Sequence, residues 1–394
     1  MFKVSQASFM VSQGCANNLC NHLPDLPAST QVPLRTSAIS AGVVPWQEMA
    51  VEVGAHAKIE FMRQSTCGQI QTSVLGFGCG SVLGRVGRGP SLRAMHAAWD
   101  AGITLFDTAR SYGYGDAEQV LGEFLRGKRD RAIVATKFGI TAQNPGRLKR
   151  TAIPIARAMM NLKIPAVRSL ARRGGTDRSQ FGDFTVEGLR ASLETSLKQL
   201  RTDYVDILFL HEACSGALSQ QDLMAELDAL ILAGKVRRAG LYASAEVVAE
   251  GLVSGPATLS AMQFGANSFD RVATGMGRLN QRAALLVGNH PFGTQQRVAA
   301  FTLALRAIAS DETLPTAMRE KLRNPDWQLV LEAILGVPLS GMGVHALVFS
   351  MMRGDHLRAN IRAIEGACFT ASELVELAGR ILPTNKNRPA NRQP

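Results

Sequence analysis

No stretch of this chain approaches the roughly 18 consecutive apolar residues that a membrane-spanning helix needs, so no span is expected. Nor does the start resemble a secretory leader. Lys3 is followed by Gln13, Asn17, Asn18 and Asn21, where a leader would run unbroken and apolar. The cysteines are few and scattered, at positions 15, 20, 67, 79, 214 and 368, with no C-x-x-C pair. That usage suits a reducing compartment, and a cytoplasmic location is expected. Cys15, Cys20 and His22 lie close together, but a fourth ligand at sensible spacing is missing, so no metal is expected. Between Arg147 and Arg178 acid is almost absent: Arg147, Lys149, Arg150, Arg157, Lys163, Arg168, Arg172, Arg173 and Arg178 are opposed only by Asp177. The formal net charge of +11 is therefore largely local, which argues against general nucleic-acid affinity.

What is present is a globular composition, 46% hydrophobic and 19% charged over 394 residues, long enough to bury a sizeable core without disulfides or metal. Residues 1–61 are mixed polar and keep no period of 2 or 3.6, so they read as a disordered or loosely attached extension, with Met62 as an alternative start. Residues 62–382 read as the folded domain and 383–394 as a disordered tail. Within the domain, short β-branched apolar runs alternate with amphipathic stretches. The candidate strands are Val74–Phe77, Ile103–Asp107, Ala132–Thr136, Val205–Leu210, Val236–Leu241, Ala261–Phe264, Leu285–Gly288 and Val344–Phe349. Helices are expected over Ser91–Ala101, Thr185–Leu200 and Leu218–Leu232, the first started by Pro90 and stopped by Gly102, the last stopped by Gly234. Eight such strands with helices between them predict an α/β fold of the (β/α)8 TIM-barrel type. A doubly wound sheet is the alternative. The glycines at 76, 78, 80 and 84 form a loose turn without a clean dinucleotide fingerprint, so that fold accounts for only two strands. The rhythm breaks at 140–182, which in a barrel is an insertion rising from the face where active sites lie. Its basic part reads either as a mobile lid or as a solvated insertion, and peripheral membrane contact through 147–178 is a third reading.

Three expected strand ends carry chemistry. Asp107-Thr108-Ala109-Arg110-Ser111-Tyr112-Gly113 follows the apolar run Gly102–Phe106, and Lys137 and His211 close two later strands. Reducing a carbonyl requires a hydride donor and a proton donor. A tyrosine can give the proton, although its ordinary pKa of about 10 makes it sluggish at neutral pH. A nearby ammonium is expected to favour the phenolate, a carboxylate to hold the ammonium, and an imidazole to orient the carbonyl oxygen.

These segments resemble the aldo-keto reductase family, in a bacterial-type form. The resemblance rests on Leu75–Gly80, on Ala101–Ala109 with Tyr112-Gly113, on Ala135–Gly139, and on Ser192-Leu193-Glu194 through Leu200–Asp206 to Leu208-Phe209-Leu210-His211. It covers roughly residues 62–380. It implies a barrel enzyme dependent on NAD(P)H, with Tyr112 as proton donor, Asp107 and Lys137 tuning it, and His211 orienting the substrate; Tyr114, the rival phenol, is expected in the wall. For the cofactor it implies Gly78, Asp107, Gln263, the turn Pro291-Phe292-Gly293, Arg353 on a 2′-phosphate and Asn360 near the adenine. NADP is favoured, with NAD as the alternative. The chain departs from the family where a Ser-Asn pair is usual, having Tyr242 and Ala243, and where a stacking aromatic is usual, having Asn289. The expected function is reduction of an aldehyde or ketone, or the reverse, by a monomer or small homo-oligomer acting on a small carbonyl substrate. The alternative is a nucleotide-binding regulatory or interaction barrel without turnover.

Overall fold

The computed structural model describes residues 62–84, 86–141, 180–366 and 368–381. The extension 1–61, the basic stretch 147–178, the tail 383–394 and the Cys15, Cys20 and His22 group lie outside the described residues.

Eight parallel strands close into a barrel in which every strand pairs with its neighbour in sequence order and the last pairs with the first. They are β1 (Leu75–Gly78), β2 (Leu105–Asp107), β3 (Ile133–Phe138), β4 (Val205–His211), β5 (Val236–Tyr242), β6 (Leu259–Gly265), β7 (Leu285–Asn289) and β8 (Ala346–Phe349). Each falls on one of the eight expected strands, because parallel barrel strands are covered on both faces and read as apolar runs. Alternation divides their side chains between two cores. Leu105, Ala135, Ile207, Phe209, Ala261, Leu285, Val287, Ala346 and Val348 fill the barrel interior, and the outward residues pack under the helices.

Phe209 is the largest of the interior residues, and its neighbour on β5 is Gly240. A β-carbon at 240 would lie 2.6 Å from the Phe209 ring and 2.7 Å from the Ala261 carbonyl oxygen. Gly240→Ala is therefore expected to destabilise the fold by about 1–3 kcal/mol, read from urea unfolding.

The helices depart from expectation in detail. The first spans Arg88–Asp100, so Pro90 sits within its first turn, and Gly102 ends it in left-handed backbone at φ 83°. Thr185 caps Val186–Leu200, its hydroxyl accepting from the Gly188 amide at 3.0 Å. The helix expected over Leu218–Leu232 spans Gln221–Leu232, and a separate turn of helix, Ser215–Leu218, precedes it.

An antiparallel hairpin, Gln64–Cys67 with Ile70–Ser73, was not anticipated. Its Cys67 and Ile70 join the interior core, and the Arg238 guanidinium donates to the Cys67 carbonyl at 3.0 Å, so the hairpin stoppers the barrel at its N-terminal end. Ile140–Thr141 pairs with Gln180–Phe181 and brings the two ends of the segment 142–179 together beside the opposite end of the barrel. Three helices, Gln295–Ile308, Thr316–Arg323 and Trp327–Gly336, lie between β7 and β8. No helix among the described residues is long and apolar enough to cross a membrane.

Candidate active site

The interior layer at the C-terminal rim is built by alternation. Leu105 and Asp107 face inward on β2, Ala135 and Lys137 on β3, Phe209 and His211 on β4, Ala261 and Gln263 on β6, and Val287 and Asn289 on β7. Lower members of each pair are apolar and form the core; upper members are polar and form a floor.

Lys137 is fully buried, and all three of its ammonium protons are used. It donates to Asp107 Oδ1 and Oδ2, each at 2.7 Å, and to the Thr108 carbonyl at 2.8 Å. Burial pushes the Asp107 carboxyl up, and the lysine charge pulls it the other way. Tyr112 lies just beyond β2, where the chain turns through left-handed Gly113 and Tyr114 at φ 59° and 60°. A β-carbon on Gly113 would meet the Val82 carbonyl at 2.8 Å, so the turn fits closely against the loop after β1. His211 stands between two phenols: its ring centroid is 6.0 Å from Tyr112, edge to face, and 5.4 Å from Tyr242, tilted. The Lys137 ammonium is 5.0 Å from the Tyr112 ring centroid and 5.8 Å from that of Tyr242.

One expectation is corrected here. The ammonium does not draw the phenol down. Burial, then the Asp107 charge, then Glu212, push Tyr112 well above its ordinary value. Lys137 has spent its protons on Asp107 and Thr108, and the pair offers the phenol no net positive charge. His211 is shifted well below its usual range, by burial first and by Lys137 second, so its ring is neutral at neutral pH.

A further network, absent from the sequence reading, holds the two catalytic-face segments in register. Buried Glu118 accepts from Thr136 Oγ1 at 2.6 Å and from Arg110, and Arg110 also donates to Gln199 Oε1 at 3.1 Å. Thr136 precedes Lys137 and Arg110 lies two residues before Tyr112. The sequence shows only an acid, Glu118, in the first turn of the helix Ala117–Phe124, which looks like an ordinary helix-start residue.

Residues 74–282, a stretch longer than half the chain, match the model of the aldo/keto reductase family. The chain belongs to this family. Among curated relatives it is 30% identical over 148 residues to pyridoxal 4-dehydrogenase of Microbacterium luteolum, covering 36% of this chain and 40% of that protein. It is 38% identical over 121 residues to D-threo-aldose 1-dehydrogenase of a Pseudomonas species, covering 30% and 32%. The aligned segments thus span less than half the length of these relatives. Among solved structures, a holo-form aldo-keto reductase from Bacillus halodurans superposes with a TM-score of 0.59 at 22% identity, over 83% of this chain and 100% of the other. That likeness bears on the barrel alone.

In this aldo/keto reductase Asp107, Lys137, Tyr112 and His211 come together at the rim. The residues expected around a cofactor are spread more widely. Gln263 and Asn289 are buried, and Gln263 Oε1 and Asn289 Oδ1 receive no hydrogen bond. Beside them Gly265 contributes no side chain; a β-carbon there would find only Asn289 Oδ1, at 3.9 Å. Gly78 packs closely, since a β-carbon there would sit 3.1 Å from the Phe349 backbone. Pro291 and Phe292 follow β7, the Phe292 ring meeting Phe349 edge-on at 5.3 Å, and Gly293 is left-handed at φ 57°. Asn360 is buried on the helix Gly354–Glu365. Arg353, at the start of that helix, is exposed and forked onto Asp355, with Nε donating to Oδ1 at 3.0 Å. Its partner Asp355 is held down at about 2, chiefly by that hydrogen bond. No group of side chains suited to a metal ion occurs among the described residues.

Proposed function

We propose that this protein reduces an aldehyde or ketone to the alcohol with NADPH, or runs the reverse reaction, with Tyr112 as proton donor. The observation that carries the reading is the buried Lys137–Asp107 pair set beneath Tyr112 and His211 at the barrel rim. Two relatives are named as dehydrogenases, which agrees with redox chemistry at that rim.

Buried acceptors without donors cost free energy unless a ligand supplies the N–H groups. Gln263 Oε1 and Asn289 Oδ1 are two such acceptors, and a carboxamide brings two N–H donors, so the residues present fit a nicotinamide. Gln263 and Asn289 would hold the carboxamide, the turn 291–293 and Gly78 would line its approach, and Arg353 and Asn360 would serve the adenosine end. Bound nicotinamide would supply or accept the hydride. The chain's own residues do the rest. His211, being neutral, keeps one ring N–H to donate to the substrate oxygen. Tyr112 holds the proton at its Oη. As negative charge grows on that oxygen it becomes a far stronger base than a phenolate, so transfer from a phenol of raised pKa stays downhill. Lys137 and Asp107, already paired, fix the floor against which the phenol rests.

NADP is preferred to NAD on the strength of Arg353, whose guanidinium suits phosphate oxygens. Arg353→Ala is expected to weaken NADPH binding about tenfold with little change for NADH, read from the quenching or enhancement of coenzyme fluorescence. Equal weakening of both coenzymes would remove the preference. The activity itself is tested by following NADPH consumption with a panel of small aldehydes. Tight coenzyme binding with no turnover on any carbonyl would instead favour the non-catalytic, regulatory barrel.

A further inference from the structure

The proposed chemistry leaves a carboxyl at the rim unused. Glu212 directly follows His211, and regular alternation would send it to the outer face of the barrel. Instead its backbone is left-handed, at φ 53°, which takes it out of the strand pattern. The next residue, Ala213, then donates its amide to the Tyr242 carbonyl at 3.2 Å and fixes the turn. The residue is half-buried and directly follows His211 at the rim, where the rings of Tyr112 and Tyr242 flank the His211 ring.

The charges around it leave it unbalanced. Asp107 has taken Lys137. Burial pushes Tyr112 and Tyr242 up and His211 and His290 down, so all four rings are neutral at neutral pH. Among the described residues Glu212 has no ion-pair partner of its own. Burial raises its carboxyl, opposed only by Lys137, so the ionised form lacks part of the solvation that a surface carboxylate enjoys. A ligand that brings a cation supplies what is missing. A ligand that brings an anion adds repulsion to desolvation.

We infer that Glu212 sets the substrate class: a carbonyl compound carrying a cationic group, such as an ammonium or a protonated nitrogen heterocycle, in preference to one carrying a carboxylate. The inference rests on the reductase reading above and names what that site accepts. Apart from the two oxygens assigned above to the carboxamide, His211 Nδ1 is buried at the same rim without a partner and marks it as a place where a ligand sits.

The test uses three para-substituted benzaldehydes bearing a trimethylammonio, a methyl or a carboxylate group, with the full chain and its Glu212→Gln and Glu212→Lys variants. The wild-type ratio of kcat/KM for the cationic over the anionic aldehyde is expected to be roughly tenfold or more. It should collapse toward unity in Glu212→Gln and invert in Glu212→Lys. Turnover of the methyl compound with a ratio that ignores both substitutions overturns the Glu212 assignment while leaving the reductase reading intact. If no aldehyde is turned over, the reductase reading fails. Calorimetric dissociation constants for benzyltrimethylammonium and benzoate then decide the recognition step. A preference for the cation that Glu212→Gln abolishes supports it, and its absence overturns it.

Discussion

A Tyr112→Phe variant is expected to lose about two to four orders of magnitude in kcat for aldehyde reduction while binding coenzyme as the wild type does. The substitution keeps the ring that packs against His211 and removes only the hydroxyl. His211 cannot take over as acid, because burial and Lys137 keep its ring neutral, and Lys137 has no free proton to offer. The pH profile sharpens the assignment. A donor whose pKa is raised stays protonated to higher pH, so reduction should remain flat through neutral and mildly alkaline solution. It is lost only as pH climbs through the raised phenol value. Alcohol oxidation needs the phenolate and should rise with pH over the same range. Stopped-flow single turnovers across pH would read both limbs. A variant with unchanged kcat, or a reduction rate falling through the ordinary histidine range, would remove Tyr112 from the role.

Lys137→Met is expected to be the most damaging single change to stability, costing about 3–5 kcal/mol. It leaves Asp107 buried without its counter-charge. The cost should shrink when Asp107→Asn is added, since the second change removes the stranded carboxylate. Urea unfolding of the two single variants and the double variant closes the cycle. The pH dependence has a fixed sign. Burial already raises Asp107, and loss of the lysine raises it further. A raised carboxyl binds its proton more tightly in the folded state, so stability is present at low pH and is lost as pH rises through the folded value. The Lys137→Met variant should therefore begin to recover stability on acidification at a higher pH than the wild type does. Additive losses in the cycle would mean that the pair is not coupled as its geometry requires.

How far the sequence carried depends on what each feature needs in order to be seen. The eight strands were legible because burial on both faces leaves a continuous apolar signature, and Asp107, Lys137 and His211 were legible as polar residues abruptly ending such runs. Tyr112 followed from its place just beyond one of them. The hairpin over Gln64–Ser73 was not legible, since two four-residue strands alternating weakly about Gly68 carry too little pattern. The turn of helix Ser215–Leu218 was not legible either, since four residues are too few to show a helical period. The direction of the Tyr112 shift went astray for a different reason. Sequence supplies the types of charge present, but whether a lysine acts on a phenol depends on where its three protons go, and that is a matter of distance. Glu212 illustrates the same limit. Nothing about a glutamate after a histidine announces a left-handed residue, and only the backbone turns it from an outward surface acid into a group at the rim. Asn289 and Tyr242 were visible as departures, yet the unsatisfied oxygen on Asn289 became a statement about ligands only once its burial was known.

The hairpin beneath the barrel has a bearing on the buried charge pair above it. With Cys67 and Ile70 seated in the interior core and Arg238 tying the Cys67 backbone in place, the described residues stopper the barrel at its N-terminal end. Lys137 and Asp107 lie at the other end, so anything seated at the rim stands between them and bulk solvent on that side. The exchange of the lysine's three protons is therefore expected to slow when the rim is occupied, without any contact to the pair itself.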